Sequence, residues 1–423
     1  MSISTTRQQP DLTDLRLLAA VVGLMFISVP AVNGVSPEGS DLVMAGAAIT
    51  SLIPILSRAS RIPRLSAAVF TLMSVYLIGT LLFSEDPTQG YRHTISTVAA
   101  GGTLLLFAAY GKEMLGYSLF RLGAFVLIVG GIVGSAGSGL PKNIVGGSIV
   151  YLLTLGALLL IVRKPHNAWF YTSAVFAMTG VLALRMDFRS MIGFTLILML
   201  AYWGATALRP KVFWLVGLIG AVGTIWAITW YFLNAHANRL AIEISQRITA
   251  ESGRRALSGR DWLWPYITRR VDQDGQWFGL GVGSLPGDFL PTDLSSHSFY
   301  MQTYLQLGVF GLALVAFVLL TVWKTVATSR QASGRFGAAL FLMFVVHNST
   351  EVLAFQNGLL ASIPAWCAIG LAYSLTRAEV DAPKLEPKPE PEPEVSQPTW
   401  RARSGHWEAA APRPRGRRVG SGR

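Results

Sequence analysis

The chain has 423 residues, of which 52% are hydrophobic and 14% charged, whereas soluble globular domains carry about 25% charged residues. The mean hydropathy is +0.45, so most of the chain is excluded from water. A helical bundle in lipid, which satisfies its backbone hydrogen bonds internally, fits this composition. The formal net charge is +12. The basic residues lie between the apolar runs, where positive-inside topology explains them, so nucleic-acid binding is not indicated.

Apolar runs of about 20 residues, the length that crosses a bilayer, recur through residues 15–376. They predict an all-α polytopic membrane bundle of about twelve transmembrane helices. The polar residues 1–14 precede the first run, which lacks a small-residue cleavage site and is expected to stay as a span. The predicted spans are 15–32, 41–57, 65–83, 94–110, 119–137, 144–162, 169–184, 190–208, 211–233, 299–323, 336–354 and 357–376.

The short connections between these spans differ in charge. Every second connection is rich in basic residues, which places that set in the cytoplasm. Both termini are then cytoplasmic, and the long segment 234–298, before the last three spans, is external. The basic set comprises Arg58, Arg61, Arg64, Lys112, Arg163, Lys164, Arg209, Lys211, Lys324, Arg330 and Arg335.

The external segment is too long to be structureless in a compact protein. Apolar residues recur at helical spacing in residues 239–252, which predicts an amphipathic helix. A second helix is expected through Asp261 to Arg270, with Pro265 in its first turn or at a kink. The tail 377–423, rich first in Pro and Glu and then in Arg, is predicted to be a disordered cytoplasmic segment.

Arginines on the external side are the first candidates for chemistry. Arg185 and Arg189 flank Asp187 between two apolar runs, where positive-inside topology disfavours them. A charge near the membrane is costly and usually functional, although an ion pair with Asp187 is the structural alternative. Segment 234–298 contains seven arginines and no lysine. Most are expected in surface pairs, but Arg260, beside two tryptophans typical of the membrane interface, is the strongest candidate for binding phosphate through its planar fork.

His297 stands where the external segment re-enters the membrane. Histidine has an ordinary pKa that allows it to act as a base near neutral pH, although a histidine at a helix start is more often structural. His347 and Glu351 either line the same cavity or form a helix-end pair. Asp272 and Asp274 have the spacing of a metal-binding pair, but the following glycine favours a turn, so no metal is expected.

Five segments carry a resemblance to the family of O-antigen ligases and O-antigen or exopolysaccharide polymerases. They are residues 258–267 (SGRDWLWPYI), 277–284 (WFGLGVGS), 297–311 (HSFYMQTYLQLGVFG), 187–194 (DFRSMIGF) and 141–153 (PKNIVGGSIVYLL). Their order and the span layout also resemble this bacterial inner-membrane family. The chain departs from the family at three positions, where Ser298 replaces Asn, Gln306 replaces Glu and Phe188 replaces Ser.

The resemblance implies metal-independent glycosyl transfer at the external face. A glycan would move from undecaprenyl pyrophosphate to a hydroxyl of a glycan or lipid-linked acceptor, with no cofactor. It assigns His297 as the catalytic residue and Arg189 and Arg260 as pyrophosphate-binding residues. Arg185, by its position near Arg189, is a third candidate for binding the pyrophosphate. Membrane lipid and polysaccharide export or chain-length proteins are the implied partners. Whether the activity is that of a ligase or of a polymerase remains open. A lipid-linked glycan flippase is the alternative, and it would need polar residues through the membrane depth.

Overall fold

The structure, a computed structural model, describes residues 63–137, 142–186, 190–252, 259–291, 295–355 and 359–381, with isolated positions between 45 and 52. Within these residues the regular structure is helical, without a strand. The helices are α1 (Arg64–Thr80), α2 (Pro87–Met114), α3 (Ser118–Gly137), α4 (Lys142–Arg163), α5 (Ala168–Met186), α6 (Ser190–Ala207), α7 (Pro210–Asn234), α8 (Arg239–Ser252), α9 (Arg260–Asp274), α10 (Phe299–Val326), α11 (Ala332–His347) and α12 (Leu359–Val380).

Among the residues that the structure describes, six helical segments are long and apolar enough to cross a membrane. The six are Arg64–Phe83, Pro87–Met114, Val145–Arg163, Pro165–Arg185, Pro210–Asn234 and Phe299–Val326. Shorter apolar helices run over Phe120–Val133, Met191–Ala207 and Ala332–His347. Length and composition therefore identify a helical membrane protein, while a total of about twelve spans remains a prediction.

The helices differ in how much of their surface other helices cover. Only 17% of the apolar 18-residue stretch of α7 is buried inside the protein, against 83% of the corresponding stretch of α2. α12 packs against both α2 and α4, and its residues Trp366 and Cys367 are fully buried. Because lipid is as apolar as leucine, an apolar helix needs no protein cover in a membrane. α2 and α12 thus form the interior, and α7 presents an apolar outer face.

The predicted spans from residue 65 onward each coincide with a helix, and two boundaries differ by seven residues, more than any of the others. α2 begins at Pro87 rather than near 94, because the Asp86 carboxylate accepts a hydrogen bond from the backbone N–H of Gln89 (3.0 Å) and proline suits the first helical position. α11 ends at His347 rather than at 354. Span 15–32 and nearly all of span 41–57 lie outside the described residues, as does the tail beyond 381.

The sequence predicts α10 as one continuous span, and the structure breaks it at Gly308. This residue has φ 62° and ψ −158°, a region that only glycine occupies readily. The break leaves backbone groups of α10 without helical partners. The glycine-rich segment 276–284 satisfies them, since Leu280 and Gly281 donate to the carbonyls of Leu305 (2.8 Å) and Gln306 (3.1 Å).

The same segment accepts hydrogen bonds from the other side of the break. Val309 donates to the Gln276 carbonyl (3.0 Å) and Phe310 donates to the Trp277 carbonyl (3.1 Å). The Leu307 carbonyl accepts a hydrogen bond from the Tyr76 hydroxyl of α1 (2.9 Å). The glycine cluster therefore has a structural role, because it lets an extended backbone lie against a broken helix.

Candidate functional site

Three chain segments that are distant in sequence meet at one end of the bundle. Arg260 is the first residue of α9, His297 precedes α10 by two positions, and Glu351 lies in the turn after α11. A carboxylate oxygen of Glu351 lies 3.6 Å from Nη2 of Arg260, and its other oxygen lies 3.8 Å from Nδ1 of His297. We call Arg260, His297 and Glu351 the charged cluster. It unites two of the residues predicted from the sequence.

Arg260 is held in place on several sides. Its Nη2 donates a hydrogen bond to the Thr350 carbonyl (2.9 Å), and its guanidinium lies 5.8 Å from the ring centre of Phe232 in α7. Burial lowers the pKa of Arg260, and the adjacent Glu351 carboxylate opposes that change. Since the ordinary pKa of arginine is far above neutrality, the side chain keeps its positive charge.

Arg260 retains hydrogen-bonding capacity. Its buried Nε has no hydrogen-bond partner among the residues that the structure describes. A buried donor left unpaired costs about 1–3 kcal/mol, and a guanidinium presents several donors in one plane. Arg260 is therefore arranged to donate to an additional oxygen-bearing group.

His297 has an unusual backbone conformation. Its φ is 48°, in the left-handed region, which costs a non-glycine residue about 1–3 kcal/mol and persists only where the surroundings impose it. On one side, the indole of Trp264 donates to the Ser296 carbonyl (2.8 Å). On the other, the backbone N–H of Phe299 donates to the Asn348 carbonyl (2.9 Å). These two contacts hold the segment and present the imidazole to Glu351.

Asn348 shapes the turn that carries Glu351. Its side-chain oxygen accepts hydrogen bonds from the backbone N–H groups of Leu353 (3.1 Å) and Ala354 (2.8 Å). Its side-chain nitrogen donates to the Phe344 carbonyl (2.8 Å). The amide thus ends α11 and reverses the chain, which is why the helix stops short of 354. Sequence analysis missed Asn348, although an asparagine directly after an apolar run is a turn signal.

The charged cluster is partly open. The side chain of His297 is 33% exposed, whereas those of Arg260 and Glu351 are 17% and 13% exposed. A histidine next to a carboxylate can take a proton from a ligand, and the carboxylate then stabilises the imidazolium. The adjacent guanidinium can stabilise developing negative charge. The arrangement is suited to moving a proton while holding an anion.

The structure describes only one of the other two predicted arginines. Arg185 is exposed near the end of α5, and Arg189 and Asp187 lie outside the described residues. The surface pairing expected for most loop arginines holds for Arg270, whose Nη1 lies 2.5 Å from the Asp274 carboxylate.

Asp272 and Asp274 face different partners. The Tyr304 hydroxyl donates to the Asp272 carboxylate, and Asp274 pairs with Arg270. Within the described residues, no group of three or more His, Cys, Asp or Glu side chains is arranged to hold a metal ion.

His347 and Glu351 do not form a helix-end pair through their side chains. The carboxylate of Glu351 instead faces Arg260 and His297. His347 is buried, its Nδ1 lies 2.9 Å from the Tyr151 hydroxyl, and its ring stacks on Phe194 at 3.8 Å.

A second polar group lies inside the bundle beside the break in α10. His93 of α2 has its Nδ1 2.9 Å from the side-chain nitrogen of Gln306 and its Nε2 3.1 Å from that of Gln89. The side-chain nitrogens of Gln302 and Gln306 donate to the Ser284 carbonyl (2.8 and 3.2 Å). We call these residues the neutral cluster. Sequence analysis noted Gln306 only as a departure from the family and did not identify His93.

Sequence analysis also missed a hydrogen bond between side chains near Arg260. Nε2 of His236, in the turn after α7, lies 2.5 Å from the carboxylate of Asp261 at the start of α9. This pair and the contact between the rings of Phe232 and Trp264, whose centres are 4.8 Å apart, connect α9 to the end of α7.

No model of a known protein family matches this chain, and no curated protein matches it.

Proposed function

We propose that this protein is a glycosyltransferase that uses a lipid-linked donor. It moves a glycan from undecaprenyl pyrophosphate to a hydroxyl of an acceptor sugar or lipid-linked glycan, as an O-antigen ligase or a polysaccharide polymerase does. The observation that carries the proposal is the charged cluster, in which a guanidinium and an imidazole from two separate segments each lie within 4 Å of one carboxylate. The motif resemblance of residues 258–267 and 297–311 supports the same reaction.

In the proposed step, the acceptor oxygen attacks the anomeric carbon of the donor glycan. A new carbon–oxygen bond forms, and the bond from that carbon to the pyrophosphate oxygen breaks. His297 takes the acceptor's proton, and the electron pair leaves with undecaprenyl pyrophosphate. Glu351 stabilises the imidazolium that results. Since the leaving group is already a pyrophosphate, arginine can offset its charge without a nucleotide sugar or a metal.

Arg260 is the proposed pyrophosphate ligand. It bears a permanent charge, it is largely enclosed, and its Nε has no partner among the described residues. A planar guanidinium can donate two parallel hydrogen bonds to one phosphate group. Arg189 and Arg185 remain proposed contacts of the same donor, on the strength of their sequence positions.

We further propose that the protein lies in the bacterial inner membrane with both termini in the cytoplasm and segment 234–298 outside. The alternation of basic connections supports this orientation. A reporter that is active only outside the cytoplasm should be active when fused near Gly275 and silent when fused after Arg377. The reverse pattern would place the charged cluster in the cytoplasm and contradict the proposed donor.

A lipid-linked glycan flippase is the second candidate, and the break in α10 favours it. Broken helices at mid-membrane are a feature of many transporters. However, the backbone groups freed at Gly308 are bonded to segment 276–284. The break therefore has a structural explanation, and transfer chemistry remains the better account of the charged cluster.

Reconstitution separates the two candidates. Purified protein in proteoliposomes is given a lipid-linked oligosaccharide with a fluorescent glycan, together with either lipid A-core or unlabelled lipid-linked repeat units. Formation of a new glycosidic product that the Arg260→Ala variant does not form supports transferase activity. Movement of the fluorescent lipid across the bilayer without any new product would favour the flippase and contradict the transferase.

A further inference from the structure

The amphipathic helix α8 has apolar side chains that the protein does not enclose. Leu240, Ile244 and Ile248 recur at intervals of four residues and are 56%, 36% and 42% exposed, while Ile242, on the other flank of the buried residues, is 36% exposed. Residues spaced in this way lie along one face of a helix. The neighbouring face, with Ala241 and Ser245, is the part of α8 that is buried against the protein.

The position of α8 relative to α7 sets its depth. α7 has 25 residues, which at 1.5 Å per residue extend about 37 Å, more than the roughly 30 Å of the hydrocarbon core. Its last turn therefore lies among the lipid headgroups, and the exposed Trp226 one to two turns earlier is typical of that boundary.

Two contacts keep α8 at the level of that last turn. The turn 235–238 joins the two helices directly, and the Tyr231 hydroxyl lies 2.8 Å from the Ser245 hydroxyl. Both the start and the middle of α8 are thus held next to the end of α7.

We propose that α8 is an interfacial helix, with Leu240, Ile244 and Ile248 inserted into the lipid leaflet at the end of α7. The outer face of α7 is apolar and little covered by protein, so a lipid-facing α8 would follow directly in the chain from a helix that is itself suited to face lipid. Arg239 and Arg247 are balanced by Glu243 and Glu251. Insertion is therefore driven by apolar burial rather than by attraction to anionic lipid, and such helices sit about 5–10 Å into the headgroup–acyl boundary.

The end of α7 that sets the depth of α8 also sets the depth of the charged cluster. Arg260 lies over Phe232, and Phe232 belongs to the same last turn of α7 that holds Ser245. Arg260 is consequently at the depth of lipid phosphates. The proposed lipid contact of α8 is argued from geometry alone and does not depend on the proposed glycosyl transfer.

Spin labelling tests the proposal. The single cysteine, Cys367, is buried, so the unsubstituted protein provides the labelling blank. Nitroxides are attached to Ile244→Cys and, as a matched control on the opposite side of the helix, to Gln246→Cys, in liposomes of zwitterionic phospholipid. Collision rates with oxygen, which concentrates in lipid, and with a water-soluble nickel chelate give the depth of each label.

The expected result is a 244 label that favours oxygen and lies about 5–10 Å below the phosphates, with a 246 label that favours nickel. Equal nickel access at both positions would overturn the proposal. A 244 label shielded from both reagents would also overturn it, because the face would then be covered by protein. Leu240→Cys repeats the measurement on the same face in case Ile244→Cys disturbs the helix.

Discussion

The charged cluster and the neutral cluster are both polar groups at the start of α10, and they differ in how completely their hydrogen bonds are satisfied. In the neutral cluster, one ring nitrogen of His93 can accept from the Gln306 side-chain amide, and the other, as N–H, can donate to the amide oxygen of Gln89. Gln302 and Gln306 donate to the Ser284 carbonyl. In the charged cluster, Arg260 Nε lacks a partner among the described residues and His297 is partly exposed. A satisfied buried network stabilises a fold, whereas an open one next to solvent is available to a ligand. The comparison predicts that substitutions in the charged cluster reduce turnover, and that substitutions in the neutral cluster reduce stability.

The largest effect is expected at His297. General-base catalysis contributes about 10²–10⁴-fold to rate, so His297→Ala should reduce turnover by that factor in the reconstituted transfer assay. Thermal unfolding in detergent should be little changed, since the side chain is partly exposed and the backbone contacts on either side of it remain. A variant with wild-type turnover would remove His297 from the reaction.

Arg260→Lys is expected to be the next most harmful change. Lysine keeps the positive charge but loses the planar fork and the Nε donor. Loss of one positioned donor to a developing charge typically costs about 10²–10³-fold, so Arg260→Lys should be nearly as slow as Arg260→Ala. Arg269→Lys is the matched control, because Arg269 lies over the Tyr266 ring (5.8 Å) and is outside the cluster. Equal losses in both lysine variants would contradict a specific role for Arg260.

Gly308→Ala tests the break in α10. A Cβ at this position would lie 2.6 Å from both the Gly279 nitrogen and the Trp277 carbonyl oxygen, and alanine strongly disfavours this φ and ψ. The expected loss is about 1–3 kcal/mol in the free energy of unfolding. Gly220→Ala in α7 is the control, since its Cβ meets nothing within 4 Å and should leave stability equal or improved. If Gly308→Ala were as stable as Gly220→Ala, the structural role of the glycine segment would be contradicted.

Glu351→Gln should have a smaller effect on turnover. The amide keeps the shape and hydrogen-bonding capacity of the side chain but removes the charge that stabilises a protonated His297. We expect a loss of about tenfold, equivalent to about 1.4 kcal/mol in the barrier, with donor binding largely retained because Arg260 keeps its bond to the Thr350 carbonyl. A Glu351→Gln variant that lost donor binding instead would show that Glu351 serves mainly to place Arg260.

Gln306→Leu is expected to affect turnover least. It removes a side chain that contacts His93 and the Ser284 carbonyl, and leaves those buried groups short of a partner. The cost should appear as about 1–3 kcal/mol of stability, with turnover per folded molecule unchanged. If this variant instead lost activity at normal stability, the division between the two clusters would be wrong.

The pattern of apolar runs was enough to predict most helices, because burial in lipid or protein governs both their length and their composition. It could not predict the break in α10, since nothing local in residues 299–323 distinguishes Gly308 from the other glycines of spanning helices. That break depends on segment 276–284, whose backbone reaches it only in the folded chain. The same segment explains why three glycines alternate there.

The site was partly predictable for a related reason. Arg260 and His297 could be selected because an arginine beside tryptophans and a histidine at a re-entry point are unusual in sequence. Glu351 could not be joined to them, since its role depends on the turn that Asn348 forms after α11. His93 lies in an apolar helix and is brought to Gln306 by packing alone, so no local pattern marks it.

The most direct measurement compares wild-type protein with His297→Gln in single-turnover transfer from a fluorescent lipid-linked oligosaccharide, with donor binding measured in parallel. Glutamine keeps a hydrogen-bonding group at the position but cannot accept a proton near neutral pH. If the charged cluster carries out transfer with His297 as the base, the variant binds the donor with normal affinity and turns over as slowly as His297→Ala. Turnover near the wild-type rate in His297→Gln would contradict that assignment and leave His297 with a structural role.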